Sequence, residues 1–224
     1  MFFYFWLIVL YIPLLLIYPC RVIGKKNLPK KGRLIFSANH QTLNDPIIIA
    51  YKLCKRRFRF MAKAPLFKNK IAGAILKGMG AYPVDNKSAT GDITAIKTTM
   101  KHLKEERAVC IFPEGARLKS SENNQLKHGV ALFSLKTKSP IVPAYFVKKT
   151  NAFTFNTLLV GKPIELYNME EFKDKKIDRE VLEQASKIVK KEMNALYKNY
   201  LKEKEDKKKK KLEKKLKKQN KKLN

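Results

Sequence analysis

Ala108-Val109-Cys110-Ile111-Phe112 is an unbroken apolar run of strand length, and it stops abruptly in Pro113-Glu114-Gly115-Ala116-Arg117. A strand without polar alternation is buried on both faces, the condition of a strand inside a sheet that helices cover on two sides. Other strand-like runs accompany it. Leu34-Ile35-Phe36 is short and apolar, residues 57–62 alternate as a half-buried strand, and residues 80–85 form a short strand that Pro83 demotes to an edge or an end. Residues 141–147 form a strand broken by Pro143, and residues 158–160 form one more.

Helical patterns fall between these runs. Asp45-Pro46, as N-cap and first helical residue, opens the apolar stretch Ile47-Ile48-Ile49-Ala50-Tyr51. A helix start is expected at Pro65, and residues 71–79 are apolar and glycine-rich. Ile93, Ile96, Met100 and Leu103 repeat at helical spacing, with His102 off that stripe as a surface histidine. Residues 129–135 suggest another helix. Val181, Ala185, Ile188, Val189, Met193, Leu196 and Tyr200 make a long amphipathic one. Strand and helix alternate without an internal repeat, which predicts an α/β fold, a mixed β-sheet flanked by helices.

The two ends differ from this body. Residues 1–19 carry no charged side chain and are rich in Phe, Leu, Ile and Tyr; as a helix they would span about 28 Å, close to the hydrocarbon thickness of a bilayer. Residues 1–20 are therefore expected to be a hydrophobic membrane anchor, with Pro13 allowing a kinked or re-entrant path. The absence of a basic n-region and of a small-residue cleavage site argues against a cleaved signal peptide. Arg21, Lys25, Lys26, Lys30 and Lys31 follow at once, which by the positive-inside rule places the body, residues 21–200, in the cytoplasm. Residues 201–224 hold thirteen lysines against four acidic residues. Such a tail packs no core and is helical or disordered. Net charge is +30, and 41 of the 49 basic residues are lysine, so the expected partner is anionic: a lipid surface, an acidic carrier protein or nucleic acid. Cys20, Cys54 and Cys110 stand far apart with no CxxC pair or histidine cluster, so neither a disulfide framework nor a metal site is expected. Cys20 reads as a small buried or interfacial hydrophobe rather than a lipidation site.

Two polar turns interrupt the apolar strands. In the first, Ser37-Ala38-Asn39-His40-Gln41-Thr42-Leu43-Asn44-Asp45-Pro46, His40 and Asp45 lie five residues apart. In a continuous helix they would diverge by about 140°, whereas a turn lets them meet. The carboxylate then fixes the imidazole tautomer and leaves the other nitrogen to take a proton from a hydroxyl, a general base with its orienter. In the second turn, Arg117 offers a planar fork for a phosphate, and Glu114 can hold a substrate hydroxyl or the arginine.

Together, Asn39-His40-Gln41-Thr42-Leu43-Asn44-Asp45-Pro46 and Phe112-Pro113-Glu114-Gly115-Ala116-Arg117 resemble the signature blocks of the glycerophospholipid acyltransferases, in particular those acting on 1-acylglycerol 3-phosphate. The similarity runs from about residue 24 to residue 164, with Lys63 before Pro65-Leu66-Phe67, the strand at 80–85 and Ile141-Val142-Pro143-Ala144-Tyr145 similar to the intermediate and final blocks. The resemblance implies His40 as the base that deprotonates the acceptor hydroxyl, Asp45 as its orienter, and Lys63, Glu114, Gly115 and Arg117 as the substrate-binding set. It implies no metal and no cofactor beyond an acyl-CoA or acyl carrier protein thioester as co-substrate. The implied partners are lysophosphatidic acid and anionic membrane lipids. Ala116 stands where the family more often has Thr or Ser, and Asn86 where an arginine is usual; Lys87 and Lys63 are the charges on hand to replace it. Glycerol 3-phosphate or another lysophospholipid is the alternative acceptor. A membrane-tethered polyanion-binding protein is the alternative outside enzymes. It accounts for the lysines but not for the two turns, and no nucleic-acid signature interleaves aromatics with the lysines.

Overall fold

Strands β1 (Cys20–Ile23), β2 (Leu34–Ala38), β3 (Phe58–Lys63), β4 (Ala81–Val84), β5 (Ala108–Ile111), β6 (Ile141–Phe146) and β7 (Asn156–Val160) form one sheet in the order β1-β7-β6-β2-β5-β3-β4. The computed structural model describes residues 12–84, 93–113 and 128–223. Every pairing is parallel except β6 with β7, so the sheet is mixed, as the alternation of elements predicts. Among the described residues after β1, the α-helices are α1 (Asp45–Lys52), α2 (Lys70–Gly78), α3 (Ile93–Lys104), α4 (Gly129–Thr137) and α5 (Arg179–Leu223).

Strand alternation divides the core between the two faces of the sheet. Leu34 and Phe36 point to the side where Ile48, Ile49 and Tyr51 of α1 pack. Ile35, Val109 and Ile111 point to the other, where α4 contributes Val130, Ala131 and Phe133 and α5 contributes Val181, Ala185, Val189 and Met193. The run Ala108–Ile111 is apolar throughout because both its faces are covered, each of its residues being buried.

This topology makes a site. After β2 the chain passes through α1 toward β3 on one side, whereas β5 leads toward β6 on the other. The connections leave neighbouring, parallel strands in opposite directions and open a crevice at their carboxyl ends, the place where α/β sheets bind ligands. Both polar turns begin there.

Several expectations change. Cys20, assigned to the end of the anchor, is the first residue of β1, where it pairs with Asn156 and is buried, as its reading as a small buried hydrophobe expects. Residues 12–17 are helical, and among the described residues no helix is long and apolar enough to cross a membrane; residues 1–11 lie outside the described part. Pro143 does not break β6. Its carbonyl accepts the Gly161 N–H at 2.8 Å, so its polar edge faces β7 just where that strand has ended and no donor is required. His102 is not a free surface residue: its ring lies edge-on to Tyr82 at 5.2 Å, and its Nδ1 is 3.0 Å from the Arg107 guanidinium. Burial and the neighbouring Arg59 and Arg107 lower its pKa. Pro83 does sit at an edge, on β4. The lysine-rich tail is helical, a direct continuation of α5.

Candidate active site

His40 and Asp45 meet because the residues between β2 and α1 are not helical. The imidazole Nδ1 lies 3.1 Å from Asp45 Oδ2. The same oxygen accepts the backbone N–H groups of Gln41 at 2.7 Å and Thr42 at 2.8 Å, while Oδ1 accepts the Thr42 hydroxyl at 2.9 Å. Asp45 is fully buried and the His40 side chain is 19% exposed, so the carboxylate is locked inside while the ring reaches solvent.

Asp45 is not the N-cap. It is the first residue of α1, after Asn44, and its carboxylate reaches back into the turn instead of capping the helix. The three donors converging on Oδ2 explain the choice, since a cap would spend the carboxylate on its own helix. Burial acts to raise the Asp45 pKa, but hydrogen bonds from His40, Thr42, Gln41 and Thr150 outweigh it and hold the group below its ordinary value. An ionised carboxylate accepts only, so the proton on the facing imidazole edge belongs to Nδ1 and Nε2 is left as the acceptor.

Phe112 covers one face of the ring, stacked at 4.2 Å between centroids with 24° between planes. It directly follows β5, whose Ile111 is in register with Ser37 of β2, so the second turn is entered beside the first. Glu114, Gly115 and Arg117 themselves lie outside the described residues, as do Ala116, Asn86 and Lys87. Lys63, exposed, ends β3 at the same end of the sheet. With β5 between them, β3 and β2 are about 10 Å apart, within the span of one phosphorylated ligand.

Two residues escaped the sequence reading. Asn39 is buried, its amide donating to the Phe146 carbonyl at 3.2 Å and its carbonyl accepting the Phe146 N–H at 2.6 Å, which ties the end of β2 to the end of β6. Thr150, also buried, hydrogen-bonds the Asp45 carboxylate. Neither has a local signature, because each acts on a partner more than a hundred residues away. Asn39→Ala should take the acceptor from the Phe146 N–H and reduce its carbonyl to the longer bond from the Gln41 amide at 3.4 Å, at about 1–3 kcal/mol for each group not rehydrated. A clear fall in the thermal midpoint, with weakened activity, is the expected outcome; an unchanged midpoint would mean that Asn39 does not hold the two strand ends together.

The acyltransferase family model matches residues 19–147. The chain is 36% identical over 126 residues to the 1-acyl-sn-glycerol-3-phosphate acyltransferase of Bacillus subtilis, covering 56% of this chain and 61% of that protein. It is 30% identical over 146 residues to the protein of the same name from Borreliella burgdorferi, covering 65% and 58%. The chain thus spans about three fifths of the length of these curated relatives. The crystal structure of a 1-acyl-sn-glycerophosphate acyltransferase from Thermotoga maritima superposes with a TM-score of 0.59 at 20% identity, over 87% of this chain and 76% of that one, a likeness of fold.

Proposed function

The chain belongs to the acyltransferase family, and on that premise we propose that it transfers a fatty acyl group from an acyl-thioester carrier to the free hydroxyl of 1-acylglycerol 3-phosphate, making phosphatidic acid for phospholipid synthesis. The observation that carries the chemistry is the 3.1 Å contact between His40 and a fully buried, ionised Asp45. The named activity of the relatives supports the choice of acceptor.

In this reading His40 Nε2 takes the proton of the acceptor hydroxyl as its oxygen attacks the thioester carbonyl. Asp45 stabilises the imidazolium that forms, as an orienter that never takes the proton itself. Collapse of the tetrahedral intermediate breaks the carbon–sulfur bond, and the imidazolium returns its proton to the departing sulfur, releasing the carrier as a thiol. Phe112 fixes the plane of the ring, so that the base meets the hydroxyl in one orientation. Arg117, with Lys63, binds the acceptor phosphate, and Glu114 and Gly115 shape that pocket. The enzyme is membrane-associated, with its catalytic domain facing the cytoplasm.

A panel of acceptors tests the assignment. With a common acyl thioester, kcat/KM should be highest for 1-acylglycerol 3-phosphate; a preference for glycerol 3-phosphate or for a lysophospholipid with a larger headgroup would move the activity to that acceptor. Arg117→Lys keeps the charge but loses the bidentate fork. The KM for the phosphorylated acceptor should rise about tenfold or more, a step of ~1.4 kcal/mol, with the KM for the thioester little changed. A defect confined to the thioester would put Arg117 on the carrier instead.

The tail calls for a separate test. From residue 201 to Leu223, α5 extends about 35 Å, and every described side chain in that stretch is exposed. Deleting residues 201–224 should weaken binding to anionic vesicles and make the remainder less sensitive to salt, since each net cation near such a surface adds about 1 kcal/mol of screened attraction. Activity on detergent-dispersed substrate should survive. An inactive truncation would place the tail within the catalytic unit.

A further inference from the structure

Phe153 is 79% exposed and Phe155 is 57% exposed, in the loop that joins β6 to β7. Two large aromatic side chains presented to solvent two positions apart are costly to keep there without a function. Phe153 also holds a positive φ of 57°, a backbone region that suits Asn or Gly and disfavours an aromatic residue. The loop is built rather than slack. Buried Asn156 clamps its base, accepting the Lys148 N–H at 3.1 Å and donating to the Lys148 carbonyl at 2.7 Å and to Thr150 Oγ1 at 3.1 Å. The Thr154 N–H returns to the Asn151 carbonyl, and the Phe153 N–H bonds the Ile17 carbonyl at 2.6 Å.

That last bond makes the aromatic tip continuous with the uncharged N-terminal segment, where Ile12 and Leu16 are each 67% exposed. Topology then fixes which way this apolar surface faces. β6 runs parallel to β2, and β1 starts level with the start of β7, so the loop and the N-terminal segment both lie at the end of the sheet that carries His40. Exposed Leu43 in the catalytic turn stands at that end too. Lys148 and Lys149, both exposed, flank the loop with the charge that an anionic headgroup layer attracts.

We infer that Phe153 and Phe155 insert into the headgroup and acyl boundary of an anionic bilayer, a second point of membrane attachment beside the N-terminal segment. Aromatic side chains next to lysines suit that boundary, where an apolar ring is buried and a cation remains wet. The insertion holds the His40 turn against the bilayer surface, because Thr150 at the foot of the loop touches Asp45. The inference does not depend on acyl transfer, since it is tested without either substrate.

The full chain and a Phe153→Asn, Phe155→Ser double variant are titrated with phosphatidylcholine vesicles containing phosphatidylglycerol, at low and high salt. The variant should lose roughly tenfold or more in partitioning, as burial of two apolar rings predicts, and the loss should persist at high salt. Its thermal midpoint should not fall, because both side chains are exposed and Asn suits the left-handed backbone. A Phe153→Trp protein, with the single native tryptophan Trp6 changed to Phe, should shift its emission to the blue on adding vesicles and be quenched by brominated lipid. Wild-type partitioning by the double variant, or an unshifted and unquenched tryptophan, overturns the inference. So does a lipid-free dimer that the double variant abolishes while vesicle binding stays intact, which would assign the patch to a second copy of the chain.

Discussion

His40→Ala should lower acyl transfer by ~10³-fold or more, within the range that a positioned general base contributes, while the protein keeps its fold. Among the described residues the side chain makes one hydrogen bond and one ring contact at the edge of the crevice, and Asp45 retains its bonds from Gln41 and Thr42 without it. Circular dichroism and vesicle binding should therefore match the wild type. The comparison is made on purified protein with 1-acylglycerol 3-phosphate and an acyl thioester. Turnover within a few-fold of wild type would remove His40 from the chemistry, whatever its geometry.

Asp45→Asn should be nearly as severe in rate and should also cost stability. The amide can occupy the same space, with its oxygen facing the three donors that now converge on Oδ2, but the negative charge is gone. The imidazolium formed during proton transfer then has no counter-charge, and a loss of ~10²-fold or more is expected. Hydrogen bonds to a charged acceptor are replaced by neutral ones, at about 1–3 kcal/mol in total. The sign of the pH effect follows from the direction of the shift. The folded-state pKa of Asp45 lies below the ordinary 3.8, so its contribution is fully present above that value and is lost as pH falls through the lower, folded one. Denaturation of wild type and variant should thus show a constant gap at neutral pH that closes only in strong acid. Reduced stability with a normal rate would make Asp45 purely structural.

How much of this was legible in the sequence depended on the range of the interactions. The strand of residues 108–111 and the turn of His40 and Asp45 could be read because the signals are local: an apolar run, a turn, and two groups five residues apart. Asp45 was misread as a cap because proline after aspartate is the signature of one, and nothing local shows that Gln41 and Thr42 turn their amides back to claim the carboxylate. Cys20–Ile23 pairs as a strand only because residues 156–159 lie beside it, a contact across most of the chain. The same distance hid Asn39 and Thr150. Pro143 was read as a break because proline normally excludes a residue from an inner strand, and only the end of β7 at Val160 relieves that rule.

Initial rates with both substrates varied test the central claim most directly, that His40 activates the acceptor for direct attack on the thioester. Direct attack needs donor and acceptor bound together and leaves no acyl group on the protein. Two of the three cysteines fit this: Cys110 and Cys20 are buried, and burial pushes both thiols up, Cys20 to about 11, away from the thiolate form that a nucleophile requires. The account predicts intersecting double-reciprocal lines, thiol and phosphatidic acid released in equal amounts, and no labelled protein after incubation with radioactive acyl thioester alone. Parallel lines, with acyl label trapped on the protein in the absence of acceptor, would contradict it.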